Sequence, residues 1–447
     1  FFIFALFMVL LCCFSSVSAS EDVADDTVAI SDGDAVDEVV SAVDLGDKSI
    51  AIENDEKLES VDGSGNGSLA VQDVGLVGDV KDIALTAGNS NNNHELISTG
   101  LSEDNSILSQ NSDEIEVETW EDIRYYSSLT DQNYILKLKE NTNYYPNDVS
   151  STDCQIIFKN NVTILGAQGA YIGDDSPVAR NITYTAMIVP DNSGIGITFK
   201  NVTFKWIGTR YQPDGVFCQM GGNTFNYIEN CYFTNISTNI GHSSIMYIKL
   251  GDAIVTNCTF VNCTTDFGCL SVYNPDDDPT KTCTRARMQV YDSYFEGNYA
   301  RTEPGCINNC GILTVTNSTF YRNSAFWWAG AIHTHGGANT TLYDCNFTDN
   351  VAGWNGGALY TYSYLQIYNT IFVGNNCTTN NGGGAIGACK YLHAPYIYIE
   401  DSLFKDNANN CWGLDDLSTS GTGRGGAISI MDQGSLEVRN TTFLNNR

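Results

Sequence analysis

From Phe199 to Phe443 the chain repeats one short pattern nine times: an apolar residue, any residue, Asn or Asp, a small residue, any residue, then Phe. FKNVTF (199–204), VTNCTF (255–260), VYDSYF (290–295), LYDCNF (342–347) and IEDSLF (399–404) are examples. The anchors are Phe204, Phe233, Phe260, Phe295, Phe320, Phe347, Phe372, Phe404 and Phe443; most lie 25 to 29 residues apart, and steps of 35, 32 and 39 imply insertions. Alternate residues of a strand share a face. The first apolar residue and the small residue before Phe have opposite parity, yet both types belong inside, so the chain must change face between them. Asn or Asp stands at that change, and these residues tolerate left-handed backbone. A corner is expected there, with its Asn turned inward and stacked on the next, and a short strand on either side.

A second motif, F-x-x-N, follows Phe295, Phe320, Phe347, Phe372, Phe404 and Phe443. After it come GAI (330–332), GGAL (356–359), GGAI (383–386) and GGAI (425–428), with FGCL (267–270) and PGCI (304–307) in the same place. Glycine suits a tight turn, and a small residue and an aliphatic then enter a core. Each repeat of about 25 residues is therefore expected to hold three short strands and no helix. A unit of this size cannot bury its own apolar face, but stacked units can. Parallel stacking at about 4.8 Å per coil predicts a rod of roughly 40 Å over the nine anchors, with Phe on Phe.

The ends differ from the repeat. Residues 1–14, FFIFALFMVLLCCF, are apolar but short of a membrane span, and Val17 and Ala19 precede Ser20 as a cleavage site would require. Residues 1–19 are expected to be a secretory signal, which predicts a secreted or cell-surface protein; no membrane span is seen in the mature region. The chain starts at Phe1 and stops at Arg447 inside a repeat, so a truncated C-terminus is expected. Residues 20–118 have no aromatic residue or cysteine and hold 25 Asp and Glu against 3 Lys, most of the net charge of −31. Such a segment cannot support a packed core and is expected to be a disordered acidic spacer. At 119–150 a solenoid cap is expected, with Thr119 capping a short helix whose face carries Trp120, Ile123, Tyr126 and Leu129, and Tyr134–Leu138 forming a strand. Residues 151–447 then make up the repeats. The acidic balance excludes a nucleic-acid footprint.

GGA[IL] paired with F-x-x-N resembles the repeat of polymorphic outer-membrane proteins. With the acidic N-terminal stretch, the chain also resembles the adhesin-like surface proteins of methanogenic archaea. The resemblance covers about 195–447. It implies an all-β, right-handed, single-stranded parallel β-helix of the pectate-lyase-like kind that binds a cell-surface glycan or protein without catalysis. A polysaccharide lyase or hydrolase on the same scaffold and a purely structural envelope protein are the alternatives.

The candidate chemistry is sparse. Asp292, Asp344 and Asp401 share the corner slot with Asn201, Asn257 and Asn317, which argues for a turn role, so no catalytic residue is assigned. Asp276–Asp278 and Asp415–Asp416 fall in insertions and are read as solvated. His333 and His335 form H-x-H, but two histidines without a third ligand make a weak metal signal, and neither a metal nor a cofactor is expected. The pair aligns with Tyr360 and Tyr362 one coil on, which suggests an outward polar-aromatic stripe. Trp328 precedes GAI and Trp354 precedes GGAL, with Trp327 and Trp412 nearby. Trp328, Trp354, Tyr360, Tyr362, His333 and His335 are therefore the expected ligand-binding group, since aromatic faces suit sugar rings. Cys231 and Cys258 share the small slot on successive coils and Cys269 and Cys306 the Ala slot; stacking allows disulfides, but Ser, Thr and Ala elsewhere in these slots favour small buried packing. N-x-S/T sequons recur; those at corners are expected to be shielded, leaving Asn339 and Asn376 as acceptors.

Overall fold

The computed structural model describes residues 114–447, apart from 191–193, 210–216, 223, 239–242, 274–285, 379–381, 392–393 and 410–424. The expected signal, the acidic spacer up to residue 113, Trp412 and both acidic insertions lie outside the described residues.

The chain is a parallel β-solenoid. One coil shows how it is built: Ile312–Thr316, Thr319–Tyr321, Ser324–Trp328 and Ile332–Thr334 are successive strands, each joining a different sheet. Among the described residues the first sheet has 12 strands, the second 11, the third 6 and the fourth 10, and every pairing between coils is parallel. Three strands per repeat were expected. The additional one is the short third-sheet strand after F-x-x-N, too brief to show alternation.

The corner at Asn or Asp is present at every repeat, with φ between 41° and 57° from Asn201 to Asn440. The side chains there do not turn inward as expected: all nine corner residues are exposed. They form an outside ladder, in which Asn257 Nδ2 donates to Asn230 Oδ1 at 2.7 Å and Asn317 Nδ2 to Asp292 Oδ1 at 2.6 Å. At these corners the left-handed backbone carries the parity change and the side chain is left outside the coil. The sequons at Asn201, Asn257, Asn317 and Asn440 are therefore exposed, whereas Asn339 and Asn376 are half-buried.

A second left-handed corner lies two residues after each Phe, at Trp206, Asn235, Asn262, Gly297, Arg322, Asp349, Gly374, Asp406 and Asn445. It resets parity again, so the Asn of F-x-x-N, three after Phe, faces inward. Asn298, Asn323, Asn350, Asn375 and Asn407 are all 0 % exposed. Each amide is satisfied by its neighbours. Asn350 Nδ2 donates to Phe320 O at 2.9 Å and to Asn375 Oδ1 at 3.0 Å, while its Oδ1 accepts from the backbone N–H and Nδ2 of Asn323, both at 3.1 Å. This buried ladder supplies partners for backbone groups that the corner takes out of the sheet. Cys263 fills the slot one coil earlier, its N–H donating to Asn298 Oδ1 at 3.0 Å, and Ile207 and Ile236 fill it below.

The anchor phenylalanines stack on one another from Phe204 to Phe443, with centroids 4.4–4.9 Å apart and planes within 11°. Below Phe204 the column continues as Ile172 and Tyr144. The Ala and aliphatic of GAI and GGAL are buried. Their glycines permit close stacking: a Cβ on Gly357 would lie 2.0 Å from Gly384 O.

At the N-terminal end the helix Trp120–Ser128 is closed by a capping box between Thr119 and Asp122. Trp120 and Ile123 are buried, and Tyr126 and Leu129 pack against the core. The solenoid begins earlier than expected. Glu114–Val117 pairs with Tyr134–Leu138 in the first sheet, and Asn143–Tyr144 already belongs to the second, so the cap proper is the helix alone.

Cys231, Cys258, Cys269, Cys306 and Cys345 are buried free thiols. Cys345 lies between Ser318 and Thr370 in its column, so no stacked cysteine faces it, and burial pushes its thiol up to about 12. Alkylation of the native chain at mildly alkaline pH, read by peptide mapping, should label Cys310 and Cys389 well before Cys345; equal labelling would place Cys345 outside the core. Phe347→Ala should cost about 3–5 kcal/mol in equilibrium unfolding. Asn350→Ala, which orphans the backbone N–H of Asn323 and the carbonyl of Phe320, should cost about 2–4 kcal/mol, while Asn369→Gly at an exposed left-handed corner should cost only a few tenths. Equal losses at Asn350 and Asn369 would contradict the inside and outside roles of the two ladders.

Candidate functional site

The expected binding residues do gather on one side of the rod, but at two depths. Strand Ser324–Trp328 pairs with Val351–Trp354 through Ser324↔Val351 and Ala325↔Ala352, and then Trp328↔Trp354. The shift leaves one extra residue between Ala325 and Trp328. Such a bulge re-aims side chains, and here Phe326 and Trp327 point away from the core.

Phe326, Trp327 and Trp354 form the outer group. Phe326 meets Trp327 edge-on at 5.1 Å and Trp327 meets Trp354 at 5.1 Å, with Phe326 57 % and Trp354 40 % exposed. Phe326 was not singled out from the sequence, because it lies in the segment between motifs, where no periodicity applies.

Trp328, His333, His335, Tyr360 and Tyr362 form the inner group. His333 lies 5.6 Å from Trp328, 4.1 Å from His335, 5.2 Å from Tyr360 and 5.4 Å from Tyr362 between ring centroids. Tyr362 also touches the exposed Tyr391 at 5.5 Å. These residues are not the outward stripe that the sequence suggested. His333 is 0 % and Tyr360 2 % exposed, and Trp328, His335 and Tyr362 are half-buried. His333 does point away from the solenoid core, but the turn carrying Glu303 and the indole of Trp328 close over it.

Glu303 is the residue that the sequence did not reveal. It precedes PGCI one coil before His333, is 6 % exposed, and its Oε2 lies against His333 Nδ1. His335 Nε2 lies 2.8 Å from Asn308 Oδ1. Burial lowers the His333 imidazolium to about 3. Burial also holds the Tyr360 and Tyr362 phenols well above the ordinary tyrosine range.

The corner carboxylates stay apart from this group. Asp292, Asp344 and Asp401 each accept from the Asn above, Asn317, Asn369 and Asn440, as a turn role requires. A further aromatic row lies on the outer face of the first sheet, where Tyr343 stacks on Tyr368 at 5.0 Å and Tyr368 lies 5.6 Å from Tyr398. It was legible as alternation in YLQIY and YIYIE.

Among the described residues no helix is long and apolar enough to cross a membrane. No known protein-family model matches the chain, and no curated protein sequence matches it. Among solved structures it is similar to a mannuronic acid specific polysaccharide family 6 lyase from human gut microbiota, at 9 % identity and a TM-score of 0.37, over 74 % of this chain and 82 % of that one. It is also similar to a Bacillus pectate lyase solved with trigalacturonate, at 11 % identity and a TM-score of 0.26, over 75 % and 82 %. A third is PfbA, a surface adhesin of Streptococcus pneumoniae, at 11 % identity and a TM-score of 0.18, over 73 % and 87 %.

Proposed function

We propose that this chain is a secreted, cell-surface β-solenoid that binds glycan on another surface without turning it over, through the aromatic shelf of Phe326, Trp327 and Trp354. The observation that carries the reading is the exposure of that shelf. A side chain that merely plugs a turn is covered, whereas Phe326 and Trp354 keep 57 % and 40 % of their surface open. Their flat apolar faces suit the C–H faces of sugar rings, and half-buried Tyr362, 6.3 Å from Trp328, offers a phenol to hydroxyls. The rings are held by strands paired into a rigid sheet, so little ordering entropy is lost on binding. Trp328, Tyr360, His333 and His335 act as the floor of the shelf and not as its contact surface.

A polysaccharide lyase is the second reading, because Glu303, His333 and Tyr360 are acid–base groups in one cluster. Their burial weighs against it. A general base must come within hydrogen-bond reach of the proton it removes, and His333 and Tyr360 are covered.

The purified chain should be tested on a glycan array and on immobilised polysaccharides. The Phe326→Ala, Trp354→Ala double variant, folded by circular dichroism, should bind its best ligand at least tenfold more weakly than wild type. Unchanged binding would remove the shelf from consideration. Unsaturated or reducing ends appearing in solution would move the assignment to the lyase.

A further inference from the structure

The geometry points to a divalent-cation site at Glu303, His333 and His335, for a borderline cation of the Zn²⁺ class. The three side chains offer one carboxylate oxygen and two imidazole nitrogens, and these donor atoms all lie within 4.8 Å of one another. An independent observation marks His333 as unfinished. The residue is 0 % exposed, and neither ring nitrogen makes a hydrogen bond, although Nδ1 lies against Glu303 Oε2. Buried polar atoms are ordinarily partnered, and an unsatisfied one calls for an explanation such as an ion. A bound cation would take up a His333 lone pair and the Glu303 charge together.

The surroundings fit this role. Asn308 Oδ1 lies 2.8 Å from His335 Nε2, and as an acceptor it orients the ring with a proton on Nε2. A second donor or acceptor that fixes the tautomer of a ligating histidine is a regular feature of metal sites. The donor set also selects the metal. Two nitrogens with one oxygen suit Zn²⁺ and its neighbours, whereas Ca²⁺ and Mg²⁺ require six or more oxygens. In a tetrahedral Zn²⁺ site the donors stand about 3.3 Å from one another, so the cation would part Glu303 Oε2 from His333 Nδ1 and set His335 at the same spacing. Half-buried His335 has the freedom for that movement, while His333 stays fixed under Trp328. Three protein ligands leave one coordination position open. The site uses none of the three exposed shelf residues, so binding of cation and of glycan are separate measurements.

The test uses the full chain, stripped with a chelator and dialysed against Zn²⁺. Wild type should retain one equivalent with affinity in the micromolar range or tighter, and Zn²⁺ should raise its unfolding midpoint. Glu303→Gln is nearly isosteric and His335→Gln alters a half-buried position, so both should keep the wild-type circular dichroism. Each should lose the stoichiometric equivalent and the thermal response. Asn308→Ala, which removes the contact that orients His335, should weaken retention by roughly 10- to 100-fold. Co²⁺ in place of Zn²⁺ should give the visible absorption of a tetrahedral nitrogen–oxygen site in wild type alone. Failure of the wild type to retain the equivalent, or its full retention by either folded Gln variant, would overturn the assignment.

Discussion

Every coil of this solenoid lies in parallel register on the next, so each inward side chain meets its counterpart from the neighbouring repeat. A slot that recurs is filled best by a residue that packs against its own kind. Phe satisfies that requirement with its face, at centroid spacings of 4.4–4.9 Å set by the sheet. Asn satisfies it with a complementary donor and acceptor on one planar group, so Asn323, Asn350 and Asn375 each give and take the same bonds. A charged residue fails the requirement, because like charges would stack in an apolar interior. Among the described residues, the repeated charged positions are accordingly the outward corners, where Asp292 and Asp344 alternate with Asn317 and Asn369 and each Asn donates to the Asp below it.

The same constraint decides what the sequence discloses. Self-matching columns produce recurrence, so the Phe ladder, the Ala–aliphatic pair and the first corner could be read directly from FKNVTF through VRNTTF. The second corner could not. Its left-handed residue is Trp, Asn, Gly, Arg or Asp in different coils, since an outward side chain is free to vary. Only the Asn one residue later, from Asn298 onward, betrays it. The earliest coils were hidden for the opposite reason: Tyr144 and Ile172 continue the Phe column without the Phe that marks it. The direction of the corner Asn was misjudged because parity counts which residues face inward on either side of a break, whereas a positive φ determines where the residue at the break points.

Glu303 and Phe326 were illegible for a third reason. Neither belongs to a column. Glu303 occupies a turn between the Tyr299–Ala300 strand and PGCI, and it reaches His333 only because the fold lays one coil on another. Phe326 is exposed by a bulge that has no counterpart in the paired strand. Such features come from departures in single coils, and a repeat-based reading averages them away.

Those departures are also where the function is to be sought. On the outer face of the fourth sheet the register brings together Gln219, Tyr247, Ser271, Asn308, His333, Tyr360, Gly387 and Ser429 in one column. It crosses the same coils as the Phe ladder, yet no residue type repeats between neighbours. A heterogeneous column on a self-matching scaffold is free of the repeat's constraint, and in this one polar and aromatic groups are brought under Trp328 and beside the Phe326–Trp354 shelf. The interior of the solenoid therefore supplies rigidity through sameness, and it is the outer fourth-sheet column, with the bulge and turn that border it, that makes one stretch of an otherwise uniform rod chemically distinct.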